Sequence, residues 1–188
     1  MQTFSANNPP FGSGLDPNHP QEHSVLSKTN AILNEEVPVK ITIILPTNAY
    51  FMSGVRDFTK TVVMNMTGFS EKWAFRFQSV VDELTNNAIE FGSAPGEYIK
   101  VTFVSVKGKS IEVFVEDSGT GASKKTAAEM SRLVAERRQT DPTRITTIRG
   151  RGLAQIVSHW TDQLEFLDNA AGGLTVHVVK QLSDGEQD

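Results

Sequence analysis

Cysteine is absent from the 188 residues, which excludes thiol nucleophiles, disulfide staples and cysteine-ligated zinc and fits a reducing compartment. Long apolar runs are absent as well. No stretch approaches the roughly 18 to 20 consecutive apolar residues that span a bilayer. The first residues carry no basic start followed by an apolar run, so a secretory signal is not expected. These features make a cytoplasmic protein without membrane association the expectation. Positive charge is not in excess: 18 Lys and Arg stand against 22 Asp and Glu, a formal net charge of -4. A generic binder of phosphate backbones is therefore disfavoured, and no direct nucleic-acid partner is expected. Histidine is sparse and scattered, at His19, His23, His159 and His177. The two nearest lie among prolines and share no helical face.

What is present is one domain's worth of patterned sequence. Residues 1–36 are rich in Asn, Pro, Ser, Gly and Gln with little apolar periodicity, and read as a flexible extension. From Val37 to Leu45 the alternation of Val39, Ile41 and Ile43 with polar residues predicts a strand, ended by Pro46. Phe51, Val55, Phe58, Val62 and Met66 form the stripe of an amphipathic helix that ends near Gly68. Ser70 opens a second helix, with Trp73, Phe77, Val80 or Val81, Leu84 and Ala88 inward, closing at Gly92. Two alternating strands follow, joined at Lys107-Gly108-Lys109. Residues 122–149 are polar and read as a partly helical, mobile cover. Gly150-Arg151-Gly152 starts a short helix through Trp160, and Leu164–Leu167 and Leu174–Val179 close the chain as a hairpin. Hairpins dominate, so the expected class is α+β: a two-layer sandwich of a mixed, mostly antiparallel sheet with helices on one face.

Three short motifs carry chemistry. Glu83 and Asn87 are four apart and share one face of the second helix. A carboxylate one turn from an amide oxygen suits magnesium, which prefers hard oxygen ligands and keeps several waters while bridging phosphates. Alone, such a polar pair is commonplace on a helix. Asp117-Ser118-Gly119-Thr120-Gly121 ends a strand. Its glycines let the backbone approach a planar ring, and a fixed carboxylate accepts from an exocyclic amine; a polar turn has the same composition. Gly150-Arg151-Gly152-Leu153 precedes a helix, where backbone N–H groups face anions, and Arg144, Arg149 and Arg151 add positive charge. A loop with solvated arginines reads the same way. The joint occurrence of all three, on helix, strand end and helix start, outweighs each alone.

In combination these motifs resemble a known family. Glu83-Leu84-Thr85-Asn86-Asn87-Ala88-Ile89 resembles the N box of the GHKL ATP-binding superfamily, and the two glycine segments resemble its first and second glycine boxes. The resemblance covers nearly everything but the extension. It implies the Bergerat, or histidine-kinase-like ATPase, fold over residues 37–182, with 183–188 as a tail. The stand-alone domain and the Glu-x-x-x-Asn spacing are most similar to the bacterial anti-sigma-factor serine/threonine kinases of partner-switching systems.

By position, the resemblance implies Glu83 as general base, activating a serine hydroxyl of a protein substrate or a water, and Asn87 as magnesium ligand. Asp117 would accept from the adenine amino group, with Gly119 and Gly121 shaping its pocket. Gly150 and Gly152, with Arg149 and Arg151, would hold the phosphate end, and Thr175 matches a position near adenine. The implied cofactors are ATP and Mg2+. The implied partners are an anti-anti-sigma-type antagonist protein and a sigma factor or similar regulator, with homodimerisation through the first strand and helix. Two positions depart from the pattern: Phe91 stands where histidine or lysine is frequent, and Ile148 where arginine is. The second departure motivates an alternative, a nucleotide-dependent partner-switching protein that transfers no phosphate. A sensor histidine kinase fits poorly, since no histidine lies on the helix at 48–66.

Overall fold

The computed structural model describes residues 37–139 and 152–183. The N-terminal extension and the tail after Ser183 lie outside the described residues, as do Arg149, Gly150 and Arg151.

Five strands form one sheet: β1 (Val39–Pro46), β2 (Tyr98–Val106), β3 (Ser110–Glu116), β4 (Gln163–Asp168) and β5 (Leu174–Gln181), in the order β1-β2-β3-β5-β4. Expected to be mostly antiparallel, the sheet is antiparallel at every described pairing. Alternation sets its two faces. Ile99, Val101 and Phe103 of β2, and Ile111, Val113 and Val115 of β3, are buried toward the helices. The opposite face carries polar and charged residues, including the Lys100–Glu116 ion pair at 2.7 Å. The architecture is an α+β sandwich with its helices on one face of the sheet.

Helix α1 (Met52–Met66) lays Val55 and Val62 into the core, and its Phe58 ring meets Phe103 edge-on at 5.6 Å. Phe51, expected at the head of this stripe, falls in a 3-10 turn (Ala49–Phe51) and stays exposed, while Met52 is buried in its place. The tighter turn rotates the residue out of register with the α-helical face that follows.

Helix α2 (Glu71–Asn87) buries Trp73, Phe77, Val80, Val81 and Leu84, and Ala88 just beyond its end is buried too. Both Val80 and Val81 are inside because the helix is covered on two sides, by the sheet and by α1. Full burial of Phe77 contributes about 1.5–3 kcal/mol. A forked pair, Arg56 Nε and Nη2 to the two Asp82 oxygens at 2.9 and 2.8 Å, ties α1 to α2. Past Asn87 the helix widens into a π-turn (Ala88–Gly92), a feature that often marks functional sites.

Helix α3 (Ala127–Gln139) lies within the segment expected to be a partly helical cover. A second π-helical stretch (Gly152–Val157) runs into one α-turn (Ser158–Trp160), the short helix anticipated from Gly152.

Candidate functional site

The last turn of α2, the end of β3, the start of β5, the 123–125 loop, α3 and Leu153 enclose a cavity of about 420 Å3. Its walls are mostly apolar, with Leu84, Val115, Met130, Leu133 and Val176 among them. Asn87 and Asp117 bring polar atoms to it, and Lys124, Lys125 and Arg137 bring positive charge.

Asp117 is fixed before any ligand arrives. Its Oδ1 accepts the backbone N–H of Gly119 at 2.9 Å and of Leu174 at 3.0 Å. Its own N–H donates to the Leu174 carbonyl at 3.0 Å, and its carbonyl accepts Asn169 Nδ2 at 2.9 Å. The side chain thereby extends the β3–β5 ladder beyond the last paired residues, with both bonds on Oδ1. Burial pushes the Asp117 carboxyl above its ordinary pKa, against the opposing pull of the Leu174 and Gly119 N–H groups and of Lys124.

Crowding around this carboxylate explains the local glycines. Gly119 adopts φ +68°, and a Cβ there would overlap the Gly172 backbone. At Gly92 and Gly173 a Cβ would overlap Asp117 itself. Gly121 donates its N–H to the Gly92 carbonyl at 3.2 Å, which fastens the first glycine loop to the π-turn of α2.

On α2, Asn87 Nδ2 donates to Glu83 Oε1 at 2.9 Å. Asn87 lines the cavity while Asn86 is exposed, so the residue four from Glu83 is the one that faces inward. Gly152 is buried directly against the Glu83 carboxyl group.

The cover is anchored at one end. Thr126 and Glu129 form a reciprocal capping box: Glu129 Oε2 accepts the Thr126 N–H at 2.8 Å, and Thr126 Oγ1 accepts the Glu129 N–H at 3.3 Å. Asp168, at the end of β4, adds a bond from the Ala127 N–H at 2.8 Å. The Thr126 N–H and hydroxyl hold the Glu129 carboxyl below its ordinary pKa.

The sequence-derived residues thus divide. Glu83, Asn87, Asp117, Gly119, Gly121 and Gly152 converge on this cavity or on each other. Thr175 does not. It pairs with Glu116 on the sheet face away from the helices, while Leu174 and Val176 on either side of it line the cavity. With a side-chain period of two, a misplacement of one residue along β5 exchanges the faces. Sequence reasoning missed Asn169, whose Oδ1 accepts the N–H groups of Ala171 and Gly173 at 3.0 and 2.9 Å and so shapes the turn beneath Asp117. It also missed Lys124 and Arg137, having looked for charge only at the later arginines. The spacing of Met130, Leu133 and Arg137 on one side of α3 was the available signal.

A nucleoside triphosphate fits this set. The volume lies within the range of about 300–1,000 Å3 typical of ligand sites. The apolar walls suit a base, the remaining Asp117 oxygen suits an amino group, and an amide oxygen with nearby cations suits phosphates and their metal. Fold and site together define a nucleotide-binding α+β protein. The chain belongs to the histidine kinase-like ATPase domain family, whose model matches residues 45–184, and it is accordingly an ATP-binding protein. No curated protein matches the chain. None of the described helices is long and apolar enough to cross a membrane.

Proposed function

We propose that the chain is a magnesium-dependent serine/threonine protein kinase of the anti-sigma-factor type, which phosphorylates an antagonist protein and sequesters a sigma factor or similar regulator. The observation that carries this reading is the Glu83 carboxylate held 2.9 Å from the Asn87 amide at the cavity wall. ATP binding alone does not require a carboxylate at that point. Transfer to a hydroxyl does, because a base must stand near the acceptor.

In this reading Asp117 Oδ2 takes the adenine amino group, and Gly119 and Gly121 keep the loop flat against the ring. Asn87 Oδ1 would hold the magnesium ion, a hard cation that suits an amide oxygen. When bound, Mg-ATP supplies the γ-phosphoryl group and the cation that offsets its charge. Glu83 accepts the proton of the serine or threonine hydroxyl. Lys124 and Arg137 add positive charge at the same cavity, a role assigned from sequence to Arg149 and Arg151. The partners are the antagonist and the regulator, encountered by a homodimer in the cytoplasm.

The test is a pull-down with and without ATP, followed by incubation of captured proteins with labelled ATP. Glu83→Ala should lower transfer by about 10^2- to 10^4-fold while leaving nucleotide affinity nearly unchanged. Equal transfer by both proteins would remove the base assignment. Label on no protein, despite tight nucleotide binding, would leave a nucleotide-dependent binding switch in place of the kinase.

A further inference from the structure

Glycine at position 152 has no backbone reason to be glycine. Its φ lies outside the left-handed region, unlike that of Gly119, so alanine could adopt the same conformation. What forbids a side chain there is Glu83. The three atoms nearest to a Cβ built on Gly152 are all in the Glu83 carboxyl group, and each would overlap it. The glycine cannot simply back away, because the next residue, Leu153, is buried in the core and Val157 one turn on is fully buried. Glu83 is the member free to move, since its side chain can change rotamer while the helix under it cannot.

We propose that Gly152 is a positioning residue for Glu83. Its bare Cα forms one wall against the carboxylate, and the Asn87 amide, donating to Oε1 at 2.9 Å, forms the other. Between them the carboxylate is held in one rotamer. The second glycine segment therefore acts on the base as well as on the phosphate end, so any side chain at 152 swings Glu83 off Asn87. The catalytic consequence rests on the reading of Glu83 as base; the packing consequence does not.

The experiment is a cycle of Gly152→Ala, Glu83→Ala and the double variant, read by melting temperature, phosphoryl transfer and the NMR signals of the Asn87 side-chain amide. Gly152→Ala alone should move the Asn87 amide signals to the positions they take in Glu83→Ala. It should lower transfer by about 100-fold or more, as loss of a general base does. In the Glu83→Ala background the same substitution should leave the melting temperature and the Asn87 amide signals unchanged, since removal of the carboxylate frees the space. Folding only in that background would support the same conclusion. Unmoved Asn87 signals in Gly152→Ala would overturn the proposal. So would an equal loss of melting temperature, or a failure to fold, in both backgrounds, because the collision would then not be with Glu83. A protein that transfers no phosphate yet shows the amide shift loses the kinase reading and keeps the positioning contact.

Discussion

The role proposed for the Asp117 carboxylate and its burial make opposing demands at one residue. Asp117 is buried at the end of β3 with Oδ1 occupied by two backbone donors, which makes Oδ2 a rigid acceptor. Burial disfavours the charge and raises its pKa. A carboxyl with a raised pKa in the folded state stabilises the fold fully below its unfolded value, near 3.9. That contribution is lost as pH rises through the folded value. Asparagine keeps the Oδ1 bonds and carries no charge to desolvate. Asp117→Asn should therefore lose adenine-nucleotide affinity by about 10- to 100-fold, the worth of a hydrogen bond to a charged group at about 1.5–3 kcal/mol. Its ligand-free melting temperature, relative to wild type, should rise as pH goes from about 4 to neutrality. Calorimetric titration and melts across that range check both halves. A ligand-free variant less stable than wild type at neutral pH would contradict the burial argument.

At the scale of elements, the cover is a helix tied at one end. The capping box of Thr126 and Glu129 satisfies the first N–H groups of α3, and Asp168 joins the same terminus to β4. The wall residues Met130, Leu133 and Arg137 follow along the helix from that anchor. Thr126→Ala should cost about 1 kcal/mol of local stability, as loss of an N-cap does. Asp168→Ala should act in the same direction. Both should show faster amide exchange over 127–139 and a severalfold faster nucleotide release in stopped-flow. The Glu129 pKa is lowered, so its contribution is present above the unfolded value of about 4.3 and is lost as pH falls through the folded value. Protection from exchange over the helix, relative to the intrinsic rate at each pH, should therefore fall at acid pH in wild type and change less in Glu129→Gln. Unchanged exchange in both Thr126→Ala and Asp168→Ala would mean that the anchor lies elsewhere.

For the whole molecule, what could be read from sequence was whatever repeats locally. The helices showed in their apolar stripes and the strands in their alternation, because each element must bury one face. Glu83 and Asn87 share a face of α2 that the same periodicity sets, whereas Asp117, Gly119 and Gly121 lie in the loop past β3 and showed only as a motif. What stayed hidden joins distant segments. The β3–β5 pairing places Leu174 on Asp117, Asn169 closes the turn beneath it, and Gly152 meets Glu83 across nearly seventy residues of chain. None of these contacts has a local period. Thr175 shows the cost: the strand was legible, but its phase relative to the cavity came only from its partner strand.

These distant contacts are the ones a ligand should tighten, since the cavity wall draws on α2, β3, β5 and α3 together. Mg-ATP at about 100 times its dissociation constant should stabilise the fold by about 2.7 kcal/mol, a rise in melting temperature of roughly 5–10 °C for a domain of this size. If Asn87 holds magnesium as proposed, the rise should shrink when magnesium is chelated and in Asn87→Ala. It should fall to about 0.4–1.4 kcal/mol of stabilisation in Asp117→Asn at the same nucleotide concentration, given the 10- to 100-fold weaker binding. A folded wild-type protein whose melting temperature ignores Mg-ATP altogether would refute the assignment of this cavity as the nucleotide site.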